Sequence, residues 1–217
     1  MLFNTVKASL ASGAGHLLSF KGSDTVPVAE WMDYYYNTNI EEDKYMCSVP
    51  ATEHSIMEFN SVGKENDEYD AFKRIITEVH PNGIVSIVSD TWNLWEVLTD
   101  TIPKLKNEIL SRDGKVVIRP DSGVPEDIIC GKTFGCENGS CELGGKYMEQ
   151  ESKGVVELLW DTFGGTINSK GYKVLDSHIG AIYGDAITLE RAEEICKRLA
   201  AKGFASSNIV FGIGSVS

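Results

Sequence analysis

Four kinds of feature are scarce or missing in these 217 residues, and each absence narrows the reading. There is no basic run: 20 Lys and Arg face 32 Asp and Glu, a formal charge of −12. A protein that tracks a nucleic-acid backbone needs the opposite balance, so nucleic acid is not an expected partner. No apolar stretch approaches the length of a membrane span, so no membrane partner is expected either. The start, Met1-Leu-Phe-Asn-Thr-Val-Lys7, lacks the charged head and apolar core of a secretory signal, and a cytoplasmic location is the expectation. Histidine is rare, with four in the chain, and the five cysteines are an odd number without an export signal, which disfavours a disulfide framework. Cys130, Cys136 and Cys141 lie within twelve residues, enough thiols for a zinc ion with a fourth ligand, but their spacing lacks a C-x2-C knuckle. Reduced thiols are the preferred reading, and the metal stays an alternative.

What is present is an alternation of two periods. Short β-branched runs at 84–88, 116–118, 181–183 and 208–211 end in turn residues, as buried parallel strands do. Between them lie helical patterns. Residues 67–79 put Phe72, Ile75, Ile76 and Val79 on one face, and 189–202 do so with Leu189, Ala192, Ile195, Cys196 and Leu199 before Gly203. Residues 25–36, 91–110 and 151–163 are further expected helices, the second kinked or split by Pro103. The fold class is therefore α/β, built from βα units. Residues 122–147, rich in Gly and Cys, read as a long loop or insertion. The aromatics Trp31, Tyr34, Tyr35, Tyr36, Trp92 and Trp95 stand at helical spacings and read as packing residues.

Each strand pattern is followed by chemistry. Ser86-Ile-Val-Ser-Asp90, Ile118-Arg-Pro-Asp-Ser-Gly123, Tyr183-Gly-Asp185 and Phe211-Gly-Ile-Gly214 deliver carboxylates, an Arg and glycines where parallel strands converge at their carboxyl ends. Even spacing puts Arg119 and Asp121 on one face, and likewise Ser86 and Asp90. On residue type alone, Asp24 and Asp90 also suit helix N-caps ahead of Thr25 and Thr91.

With Phe20-Lys-Gly-Ser-Asp-Thr25 and Ser48-Val-Pro-Ala-Thr-Glu-His54, these motifs in this order resemble the nicotinate/nicotinamide phosphoribosyltransferase family along the whole chain. The resemblance implies an incomplete (β/α) barrel-like core of a type II phosphoribosyltransferase over 1–217. The implied reaction moves the phosphoribosyl group from phosphoribosyl pyrophosphate to nicotinamide, giving nicotinamide mononucleotide and pyrophosphate in NAD biosynthesis. It also implies Mg²⁺, ATP as a coupled co-substrate acting through phosphorylation of His54, and a homodimer at full length. By motif position, Asp24 accepts from the carboxamide, Ser48 binds substrate, and Ser48 and Glu53 are placed to orient the His54 imidazole. Ser86 contacts the carboxamide and Asp90 the metal-diphosphate side. Arg119 reaches base and phosphate, and Asp121 the ribose or Mg²⁺ through water. Gly184 and Asp185 serve the ribose, and Gly214 and Ser215 the 5′-phosphate.

An anionic acceptor at Asp24 favours an amide over a carboxylate, so nicotinate is the near alternative. A catalytically silent nucleotide-binding piece that needs a partner chain is the alternative from another class. The sequence departs from the family pattern at Thr52, Ala186 and Ser215, where Ala, Gly and Gly are more usual. The family's N-terminal region and the residues after its final glycines have no counterpart here, so the chain reads as partial.

Overall fold

A computed structural model describes residues 2–61, 67–134, 136–137, 140–141, 145–184 and 187–213. They fall into two units, Met1–Val49 and Pro50–Ser217.

In the first unit, α1 (Leu2–Leu17) is followed by α2 (Val28–Tyr36) and α3 (Ile40–Asp43). Alternation of small and apolar residues in 2–17 gives no strong period, and α1 was not expected. Ala14 and Leu17 of α1 bury themselves against Val28 and Met32 of α2. Pro27, not Asp24, occupies the N-cap of α2, because proline's fixed φ suits a helix start and biases the residue before it away from the helical region. The packing role expected of the tyrosines is also corrected: Tyr34, Tyr35 and Tyr36 are exposed. Three successive residues sweep most of a helical turn, so one buried face cannot hold them all. Trp31 and Tyr35, four apart, pack ring on ring at 4.4 Å.

The second unit holds the sheet. It begins with α4 (His54–Ser61) and α5 (Asp67–Arg74), the latter running into a π-helical turn, Ile75–Val79. Phe72, Ile75 and Ile76 are buried as the period requires, but Val79 is exposed, because the wider turn rotates it off the face. Then come β1 (Gly83–Val88), α6 (Leu94–Glu96), α7 (Ile102–Lys104), α8 (Lys106–Leu110) and β2 (Gly114–Arg119). The segment before β2 is broken around Pro103 as expected, with a π turn at Val97–Thr101 ahead of it and a non-helical Leu105 after it. Trp92 lies outside the helices and is exposed.

The stretch that reads as a loop contains α9 (Pro125–Cys130) and the two-residue strands β3 (Cys136–Glu137) and β4 (Ser140–Cys141). Cys130 belongs to the core: its thiol donates to the Ile195 carbonyl at 3.5 Å, and burial pushes its pKa up to about 12. Cys130 thus packs as a core residue, and the side chains of Cys136 and Cys141 lie outside the described residues. The chain continues through α10 (Met148–Phe163), the hairpin of β5 (Gly165–Ile167) with β6 (Lys173–Leu175), then β7 (Ile179–Tyr183), α11 (Leu189–Ala201) and β8 (Ile209–Phe211). Ile195 and Leu199 of α11 are buried, but Leu189, its first residue, is exposed.

Strands β1, β2, β7 and β8 pair in that order, all parallel, with Val85, Ile87, Val88, Val116, Ile118 and Ala181 buried among the helices. The α/β reading is borne out. Segment 50–52 adds to the outer side of β1: Ser86 N–H donates to the Pro50 carbonyl and Thr52 N–H to that of Ser86, both at 2.9 Å. Thr52 Oγ1 then accepts from Val88 N–H at 3.0 Å, so the hydroxyl where the family often has alanine continues the ladder.

Two residues not expected from sequence secure this frame. Buried Arg112 donates to the carbonyls of Ile76, His80 and Gly83, tying the π turn to β1. Gly154 interrupts α10 with φ +77, and there the backbone passes Gly131 so closely that an added Cβ would sit 2.3 Å from the Gly131 nitrogen. The Lys202 ammonium caps the neighbouring Ser152 and Lys153 carbonyls at 3.0 and 2.8 Å.

One carboxyl in this unit works against the fold at neutral pH. Glu68 Oε1 on α5 is buried with no hydrogen-bond partner among the described residues, and burial, followed by the negative charge of Glu96, raises the Glu68 pKa to about 7. A group whose folded-state pKa exceeds its unfolded value of about 4.3 holds its proton more tightly when folded. Its penalty is therefore absent below the unfolded pKa and grows as pH rises toward about 7. Glu68→Gln is expected to stabilise the chain at pH 8 by about 1–2 kcal/mol, allowing for solvent screening, and to change little at pH 4. Equal denaturation midpoints for the two proteins at pH 8 would contradict this.

Candidate functional site

Parallel pairing brings the carboxyl ends of β1, β2, β7 and β8 to one edge of the sheet, and the polar residues after β1 and β2 meet there. After β1 the chain runs Ser89-Asp90-Thr91. Asp90 does not cap a helix, since α6 begins at Leu94 with Asn93 as its cap, accepting from the N–H groups of Trp95 and Glu96. The Asp90 carboxylate turns instead to the end of β2. Its Oδ2 accepts from the N–H groups of Asp121 and Ser122 at 2.9 and 2.8 Å and from the Ser122 hydroxyl. This fixes the turn that follows Pro120.

Asp121, so held, reaches His54. The imidazole is the first residue of α4, placed by the strand-like segment 50–52 just before it. His54 Nε2 lies 3.0 Å from Asp121 Oδ1, and Nδ1 lies 3.0 Å from Thr91 Oγ1. Arg119, on the same face as Asp121 as the alternation requires, stands 3.9 Å from its other carboxylate oxygen. Its guanidinium also meets the Glu53 carboxylate and the Thr52 carbonyl, each at 3.5 Å. One cation thus sits among three carboxylates and an imidazole, a set able to hold an anion, a divalent cation or a proton.

Two polar atoms here are buried without a partner among the described residues, Ser86 Oγ and Asp90 Oδ1. Ser86 is 3% exposed. A hydroxyl and a carboxylate oxygen buried in this way are the groups a bound ligand or ion would satisfy. Donor atoms of His54, Asp90 and Asp121 all lie within 4.8 Å of one another.

Asp24 and Ser48 meet in the first unit, where the Ser48 hydroxyl donates to Asp24 Oδ1 at 2.5 Å. A bridge between Gly22 and Cys47 brings these residues, 24 apart in sequence, side by side. Gly184 closes β7, and Gly212 after β8 packs so tightly on it that a Cβ on Gly212 would lie 2.8 Å from the Gly184 Cα. Asp185, Gly214 and Ser215 lie outside the described residues. Thr91 and Ser122 were not singled out in advance, and Thr52 was noted only as a departure from the family pattern; the Ser-Asp-Thr and Asp-Ser-Gly runs offered a hydroxyl beside each carboxylate, but which atom each would meet depends on the strand pairing.

A parallel sheet that presents carboxylates, an arginine and glycines at its carboxyl edge defines an α/β protein with its polar groups where such sheets usually bind ligands. Residues 4–216 match the nicotinate phosphoribosyltransferase (NAPRTase) family, and the chain belongs to it. It is 49% identical over 210 residues to the nicotinamide phosphoribosyltransferase of Acinetobacter baylyi, covering 94% of this chain and 38% of that one. It is 38% identical to the protein of the same name from Mycoplasma pneumoniae, over 99% of this chain and 41% of that one. The corresponding figures for the Xanthomonas campestris protein of that name are 32%, 97% and 39%. The chain thus spans about two fifths of the length of these curated relatives.

Proposed function

We propose that this chain carries the core of a nicotinamide phosphoribosyltransferase, which joins the ribose of phosphoribosyl pyrophosphate to nicotinamide and releases pyrophosphate, within NAD biosynthesis. The observation that supports this most is the clamped His54 among Asp90, Arg119 and Asp121 at the strand ends. The shared name of the relatives points the same way.

In this reading, the bond from ribose to pyrophosphate breaks as positive charge builds on the sugar, and a fixed carboxylate such as Asp121 stabilises it. Arg119 offsets phosphate charge and lies against the base. Ser86 Oγ, buried and otherwise unsatisfied, donates to or accepts from the carboxamide. Asp24 accepts from the carboxamide N–H, and the Ser48 hydroxyl orients it. Gly184 and Asp185 serve the ribose, and Gly214 and Ser215 the 5′-phosphate. Mg²⁺ suits Asp90 and Asp121, both hard oxygen donors, directly or through water, and would neutralise the leaving pyrophosphate. ATP acts through a phosphohistidine at His54, since a neutral imidazole nitrogen is a nucleophile near pH 7. The full-length protein works as a homodimer.

The test is formation of nicotinamide mononucleotide from nicotinamide, phosphoribosyl pyrophosphate, Mg²⁺ and ATP, with nicotinate as competitor. Turnover on the amide supports the proposal. A preference for nicotinate would reassign the substrate, and tight mononucleotide binding without turnover would make the chain a binding piece that needs a partner.

A further inference from the structure

We propose that Thr91 is a positioning residue that holds the ring orientation of His54 and keeps Nε2 turned toward the acid pair. The inference rests on the phosphohistidine reading for its purpose, but its geometry stands apart from it. A carboxylate can only accept, so in the neutral ring the nitrogen beside Asp121 Oδ1, Nε2, carries the hydrogen. Nδ1 then holds the lone pair, and the Thr91 hydroxyl, 3.0 Å away, donates to it. Thr91 cannot drift, because Asp90, its neighbour, is pinned by the N–H groups of Asp121 and Ser122. Both nitrogens of His54 are thus fixed from opposite sides by residues of two different strand ends.

A hydroxyl is suited to this place because it both donates and accepts. For Nε2 to attack the γ-phosphorus of ATP, the neutral ring must first exchange its hydrogen, through solvent, from Nε2 to Nδ1. The Thr91 hydroxyl then rotates and accepts from Nδ1–H. The new bond joins Nε2 to phosphorus, the bond from phosphorus to the β,γ-bridging oxygen breaks, and ADP leaves with that electron pair. The phosphorylated ring keeps its Nδ1–H, still received by Thr91. An aliphatic side chain could do neither, and the ring would be held from one side.

The ring nitrogens of His54 in the full chain can be read by ¹H–¹⁵N correlation without nucleotide, with His54→Gln identifying its signals among the four histidines. The wild type is expected to show a protonated Nε2 and an unprotonated Nδ1. Thr91→Val keeps the shape and should move the Nδ1 shift to that of a ring nitrogen without the hydroxyl's hydrogen bond, while Thr91→Ser should restore the wild-type value. Thr91→Ala provides the same reading should the valine variant fold poorly. Phosphate uptake from ATP should fall about tenfold or more in Thr91→Val and return in Thr91→Ser. An unchanged Nδ1 shift in the valine and alanine variants would overturn the proposal. A moved Nδ1 shift in a chain that takes up no phosphate would uphold the positioning role and reject the phosphohistidine reading.

Discussion

Incubated with γ-labelled ATP and Mg²⁺, the wild-type chain is expected to retain acid-labile phosphate, and His54→Ala to retain less than about one hundredth of it. The loss is specific because the proposed nucleophile itself is removed; a phosphate carried instead by Asp90 or Asp121 would be an acyl phosphate, which base cleaves while phosphohistidine survives it. The substitution should not unfold the protein. The His54 side chain is 44% exposed, and its hydrogen bonds run to two side chains, Thr91 and Asp121, that keep access to water. Stability should change by about 1 kcal/mol or less, which a denaturation midpoint will check. Comparable labelling of the variant would place the phosphate on another residue and would sink the assignment of His54.

The largest structural effect is expected at Gly154. Alanine there would need φ +77, and its Cβ would fall 2.3 Å from the Gly131 nitrogen, 2.7 Å from the Cys130 carbonyl carbon and 2.8 Å from the Ile129 carbonyl oxygen. All three are backbone atoms, so no rotamer can move aside. The reciprocal contact is as tight, since a Cβ on Gly131 would meet the Ser152 carbonyl oxygen at 2.0 Å. Backbone strain and overpacking together make Gly154→Ala cost about 4 kcal/mol, a large part of the stability of an ordinary domain. Gly145, with nothing among the described residues within 4 Å of its added Cβ, serves as the control, and its alanine variant should lie within about 0.5 kcal/mol of wild type. Similar urea midpoints for the two variants would show that α9 and α10 can separate without loss.

The sheet was legible because buried parallel strands are short, β-branched and nearly continuous, and four such runs stand out in the chain. The face shared by Arg119 and Asp121 followed from alternation and is seen at 3.9 Å. Caps were less legible. Asp24 and Asp90 are both acceptable helix starters by residue type, yet Pro27 and Asn93 take those positions and leave the two carboxylates to other partners. The π turns at 75–79 and 97–101 leave no composition signal, and Val79 moved outward for that reason. The hydroxyls of Thr52 and Thr91 could not be read at all from spacing. Their partners, Val88 N–H and His54 Nδ1, are 36 and 37 residues away and meet them only after segment 50–52 has added to β1.

The bonds that Asp90 receives come mainly from the peptide backbone, and this separates two kinds of inheritance. The course of the turn after β2 is written at position 90, whereas the charge shown to His54 is written at position 121. The side chain at 121 can therefore be exchanged while the turn keeps its shape, and new chemistry could be tried on an intact frame. A change at 90 would move the frame and the chemistry at once.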